Sequence, residues 1–153
     1  MKVTSTAFAD GERIPGKYTA DGADASPPLS ISGADPKAAS FALIMDDPDA
    51  PMGTFTHWLV WDIPASFTRI PEGVPKNKEV KSPEGAKQGV TDFGRAGYGG
   101  PSPPPGPVHR YMFKIYALDR MLGLRAGDSR GELERAMKGH VLAEAVLTGL
   151  YGR

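Results

Sequence analysis

The hydrophobic positions of this chain fall in short runs rather than in helical stripes. Phe41-Ala42-Leu43-Ile44-Met45 is continuously apolar, the pattern of a strand covered on both faces. Trp58-Leu59-Val60-Trp61 repeats it and is ended by Pro64, and Tyr111 to Leu118 repeats it with aromatic and β-branched residues. Leu29 to Ser32, after Pro27-Pro28, and a weak alternation from Val3 to Phe8 predict two more strands. Clusters of Gly, Pro, Asp and Ser separate the runs, as turns require.

The period changes only in the tail. Ser129-Arg130-Gly131-Glu132 has the spacing of a capping box. Leu133, Ala136 and Met137, then Val141, Leu142, Ala145 and Val146, recur at helical spacing. The pattern predicts two short helices divided at Gly139, the second ending at Gly149 or Gly152. The polar stretch Glu72 to Gly89, with Lys76-Asn77-Lys78-Glu79, predicts an exposed loop. The expected fold is mainly β with short C-terminal helices. No repeat or linker divides the chain, so one domain over residues 1–153 is expected.

Composition removes whole classes of function. Eighteen basic and eighteen acidic residues cancel, so the positive field that nucleic acid or an anionic membrane surface requires is missing. The chain has no cysteine, which excludes disulfides, thiol catalysis and zinc–thiolate sites. No apolar run approaches the ~20 residues of a membrane span. The start, Met1-Lys2-Val3-Thr4-Ser5, lacks the basic and apolar regions of a signal peptide. The expectation is a cytoplasmic protein with no nucleic-acid partner and no stable membrane insertion.

Polar chemistry concentrates at strand ends. Asp47-Pro48-Asp49-Ala50-Pro51 follows the buried strand directly. Asp47 and Ala50 both precede proline, which pushes them toward extended backbone and stiffens the turn. Such a turn either caps local N–H groups or holds two carboxylates at a site. His57 opens one apolar strand; by alternation it shares a face with Leu59 and Trp61. His109 opens another and shares a face with Tyr111, Phe113 and Ile115, while Arg110 points away and braces the pocket from behind. The run Gly97-Tyr98-Gly99-Gly100-Pro101-Ser102-Pro103-Pro104-Pro105-Gly106-Pro107 is stiffened by its prolines, and Gly99 and Gly100 could offer N–H groups to an anion. There is no nucleophile elbow, phosphate loop, dinucleotide fingerprint or helical zinc motif. His140 is expected to cover a helix end.

Together these segments resemble the phosphatidylethanolamine-binding, or Raf kinase inhibitor-like, family. Asp47-Pro48-Asp49-Ala50-Pro51 is similar to its acidic signature and His57-Trp58-Leu59-Val60 to its second. Gly99-Gly100-Pro101-Ser102-Pro103-Pro104 leading to His109-Arg110-Tyr111 is similar to its third. Gln88 to Pro101 resembles the compact prokaryotic branch, with Ser102 where that branch often has cysteine and Thr91 where it often has asparagine.

The resemblance implies a large antiparallel sheet packed on a smaller one, and a pocket for phosphate, acetate or a phospholipid headgroup. Carried over, the pocket comprises Asp47, Asp49, Pro51, His57, Ser102, His109 and Tyr111, supported by Arg110, Gly99 and Gly100. Ala50–Pro51 is then expected to be cis. A carboxylate hydrogen-bonded to one ring nitrogen would raise the imidazole pKa, so a cationic His57 or His109, the Tyr111 hydroxyl and loop N–H groups would donate to the anion. Neither a cofactor nor a resident metal is expected. The alternatives are a protease or kinase inhibitor acting through surface loops and a metal-dependent hydrolase. A homodimer is compatible with the compact branch.

Overall fold

A computed structural model describes residues 1–153. Two antiparallel sheets organise the chain. The small sheet has the order β1 (Lys2–Thr4), β2 (Leu29–Ser32), β5 (Arg69–Ile70). The large sheet has the order β6 (Lys87–Gln88), β4 (Phe55–Pro64), β3 (Ser40–Asp47), β7 (His109–Leu118), β8 (Val141–Tyr151). One helix, α1 (Arg130–Met137), covers the outer face of the large sheet.

Every residue of β3 is buried, because the strand is covered on both sides. Phe41, Leu43 and Met45 face the small sheet and pack with Trp58, Val60, Phe113, Ile115, Leu29, Ile31 and Ile70. Ala42 and Ile44 face the other way and pack with Leu59, Trp61, Leu118 and the α1 residues Leu133 and Met137. Burying an aliphatic or aromatic side chain of this size stabilises the fold by ~1.5–3 kcal/mol each. The α1 pair Leu133 and Met137 is spaced i, i+4, and this places both on one face. Ser129 caps the helix, its hydroxyl accepting the Glu132 N–H at 3.3 Å. The reciprocal half of the box is not made, since Glu132 pairs with Arg135 instead.

Three sequence expectations are corrected. The second helix does not form: Val141–Tyr151 is a strand, paired with β7 from His109↔Tyr151 to Leu118↔Val141. The helical spacing arose because β8 is an edge strand whose early residues alternate poorly between buried and exposed. Ten residues of long-range pairing then override a weak local preference. Gly149 stands opposite Tyr111, where a Cβ would collide with the Ile14 side chain. The first strand ends at Thr4 rather than Phe8. The 72–89 segment is not simply exposed: Val74, Val80, Ala86 and Gln88 are buried. Gln88 accepts from the Trp58 indole N–H at 2.7 Å and donates to the carbonyls of Pro75 and Asn77 at 2.7 Å each. That clasp ties the loop to β4.

Candidate functional site

The polar ends of β3, β4 and β7 meet at one edge of the large sheet. A cavity of about 210 Å³ opens there, walled by Asp47, His57, His109 and Tyr111 on the strands and by Phe55, Phe93, Ser102, Pro103 and Pro104 around them, with Ala50 and Pro51 completing it.

A β-bulge aims His57. Met45 pairs with Trp58, but the next residue, Asp46, pairs with Thr56, so His57 is left without a cross-strand partner. The extra residue breaks the alternation. His57 therefore turns toward Tyr111, with ring centroids 5.3 Å apart, while Leu59 and Trp61 pack under α1. The expected shared face with Leu59 and Trp61 is thus corrected: strict alternation fails at the residue the site uses.

Hydrogen bonds orient both histidines. His109 Nδ1 lies 2.7 Å from Asp47 Oδ2, and both side chains are buried. Asp47 Oδ1 accepts the backbone N–H of Asp49 at 2.8 Å, so the carboxylate is fixed at both oxygens. His57 Nδ1 donates to the Gly99 carbonyl at 2.6 Å. Each ring is thereby held with Nδ1 protonated and Nε2 unpartnered. Asp46 Oδ1 is the one sealed side-chain polar atom without a partner, so neither Nε2 is buried away from the cavity.

The electrostatics separate the groups. Burial, as the largest influence, pulls the His57 pKa below its ordinary value against the opposing pull of the Gly99 bond and Asp47. Phe55, Phe93 and Tyr111 surround the ring at 5.0, 5.2 and 5.3 Å between centroids and desolvate it, so of the two rings expected to supply a charge His57 is disfavoured. Burial, then the charge of Asp47, pushes the Tyr111 hydroxyl far above its ordinary value; it stays protonated.

Other expected site residues lie elsewhere. Asp49 does not line the cavity. Its carboxylate takes the Arg110 Nε and Nη2 at 2.9 Å each and the Arg110 backbone N–H at 2.9 Å, and the Arg110 bonds hold its pKa down at about 2. Arg110 thus locks the acidic turn from outside. Gly99 and Gly100 offer no free N–H: Gly99 donates to the His57 carbonyl at 3.0 Å and Gly100 to Asp24 Oδ1 at 2.7 Å. Both are glycine because a Cβ would strike the Phe93 ring at one and the Tyr18 carbonyl at the other. The one cis bond is Ser82–Pro83, and Ala50–Pro51 is trans. His140 closes the α1 end, its N–H donating to the Met137 carbonyl at 2.9 Å while Nδ1 pairs with Asp119.

Sequence reading missed Phe55, Phe93 and Arg153. The first two are apolar and offer no donor or acceptor; Phe55 is a β4 neighbour of His57, and the fold brings Phe93 to it. Arg153 forks onto Asp21, at 2.6 and 3.1 Å, and donates to the Pro103 carbonyl at 2.9 Å. It fastens a proline wall that has few N–H groups of its own. No group of three or more His, Asp or Glu side chains is arranged to hold a metal ion, and no helix is long and apolar enough to cross a membrane.

Residues 4–152 match the family model described as phosphatidylethanolamine-binding protein. The chain is 55% identical over 154 residues to UPF0098 protein PH1269 of Pyrococcus horikoshii, covering 100% of this chain and 77% of that one. It is 52% identical to a UPF0098 protein of Aquifex aeolicus, covering 100% and 89%. The crystal structure of Escherichia coli YbcL, described as a member of the mammalian PEBP family, superposes with a TM-score of 0.91 at 33% identity, covering 99% and 98%.

Proposed function

The chain belongs to the phosphatidylethanolamine-binding protein family, and from that premise we propose that its strand-end pocket binds a small phosphoryl or carboxylate anion without chemical turnover, as a regulatory module. The observation that carries this reading is the buried Asp47–His109 pair, 2.7 Å apart, with the second ring nitrogen turned to the cavity. In its imidazolium form His109 donates from Nε2 to a bound oxyanion while Asp47 balances the charge. Ser102 adds a hydroxyl donor on the same wall, while the protonated Tyr111 hydroxyl is drawn to Asp47. The cavity has room for a phosphate or a short headgroup rather than an acyl chain.

Turnover is not part of the reading because the loop amides that could stabilise an oxyanion are already bonded to His57 and Asp24. Calorimetric titration with inorganic phosphate tests it: the wild type binds with 1:1 stoichiometry, and His109→Ala binds about tenfold or more weakly. Equal binding by the two proteins, or none by the wild type, would remove the proposal.

A further inference from the structure

The geometry points to a second ligand site, on the α1 side of the large sheet, that takes a small zwitterion with ammonium and carboxylate groups, the class of the α-amino acids. It stands independently of the anion reading. A cavity of about 420 Å³ opens there among Asp46, Thr54, Thr56, Asp92, Lys114 and Arg130. None of these residues lines the pocket that holds the two histidines. Consecutive residues divide between the two cavities: Asp46, Thr56 and Asp92 line this one, while Asp47, His57 and Phe93 line the other.

Asp46 forms the floor, its side chain 1% exposed. Its Oδ2 receives Lys114 Nζ and Arg130 Nη1 at 2.9 Å each, but its Oδ1 has no partner in the chain. A buried carboxylate oxygen without a protein donor is costly, and it marks the cavity as a place where a partner from outside the chain is wanted. Lys114 and Arg130 stay 24% and 26% exposed. Lys114 Nζ makes no bond beyond Asp46. Arg130 spends Nε on Glu134 and Nη1 on Asp46 and Thr56, which leaves Nη2. Both cations meet on one Asp46 oxygen, so a single ligand carboxylate can bridge their remaining N–H groups. The opposite sign stands one residue away. Asp92 Oδ2 accepts the Thr56 N–H at 2.7 Å, leaving Oδ1 to a ligand ammonium. Thr56 thus spaces the two signs, with Asp92 on its amide and Arg130 on its hydroxyl at 3.0 Å. A simple anion would gain Lys114 and Arg130 but face Asp46 and Asp92; a simple cation would meet the reverse. The four charges cancel, and a zwitterion answers both signs.

Titration of the ¹⁵N-labelled wild-type protein at neutral pH with glycine, acetate and methylammonium tests this, read from the amide signals of Thr54, Thr56 and Asp92 and the Nε–H of Arg130. Glycine is expected to give one saturable curve, with a dissociation constant about tenfold or more below that of acetate or methylammonium. Asp92→Asn keeps an acceptor for the Thr56 N–H and removes the charge. It is expected to weaken glycine about tenfold while binding acetate no more weakly than the wild type does. Acetate or methylammonium binding as tightly as glycine overturns the inference, and so does an Asp92→Asn protein that binds glycine unchanged. Glycine that moves no signal, or only those of Ser102 and His109 across the sheet, overturns it as well.

Discussion

Asp46 and Asp47 are neighbours on β3, both buried, and they do opposite things. Alternation sends them to opposite faces of the large sheet. Asp46 takes Lys114 and Arg130 on one oxygen, each at 2.9 Å. Arg130 is the first residue of α1 and also reaches the Thr56 hydroxyl at 3.0 Å, so this network pins the helix to the sheet. Asp47 takes an imidazole instead. A guanidinium or ammonium carries a fixed charge and its bonds to Asp46 are spent inside the fold. An imidazole bonded at one nitrogen still presents the other. The difference between a structural carboxylate and a binding one lies in the partner, since burial is the same for both.

The contrast is sharpest in mutants. Asp46→Ala leaves Lys114 without its anion and Arg130 with only Glu134 at 3.3 Å, and is expected to cost about 3 kcal/mol in urea denaturation, while phosphate affinity in the folded protein stays unchanged. Asp47→Asn removes less stability, about 1–2 kcal/mol, and lowers phosphate affinity about tenfold or more, since the amide no longer fixes the His109 tautomer. If Asp46→Ala weakened binding as much as Asp47→Asn, the division of labour between the faces would collapse.

A smaller effect lies in the pH dependence of stability. The folded protein holds His57 below its unfolded value, so the unfolded chain binds that proton more readily. Stability from this group is complete above the ordinary histidine value of about 6.5 and falls as the pH drops below it. Urea midpoints measured between about pH 7 and pH 5 are expected to fall further for the wild type than for His57→Gln. Parallel curves would mean that the ring is not buried as a neutral group.

How much of this was legible in the sequence follows from the range of the signal. β3, β4 and β7 announced themselves through apolar runs, and Ser129 through its spacing. Asp47, His57, His109 and Tyr111 stood out as polar residues at strand ends. Three things did not. The bulge at His57 depends on register with β3, which no local pattern encodes. The strand 141–151 was misread because an edge strand with one half-covered face has no firm period. The aromatic cage comes from Phe55, beside His57 on β4, and from Phe93, 36 residues on; both are apolar residues in which no donor or acceptor marks a site. Asp49 illustrates the converse: its place in the acidic turn implied a ligand group, yet the nearby Arg110 claims it.

The most direct test is a crystal structure from phosphate-, sulfate- and carboxylate-free buffer, soaked with methyl phosphate. The account predicts one tetrahedral anion within about 3 Å of Nε2 on both His57 and His109. A pocket holding only water at saturating ligand, or an anion seated instead on Arg110, would contradict it.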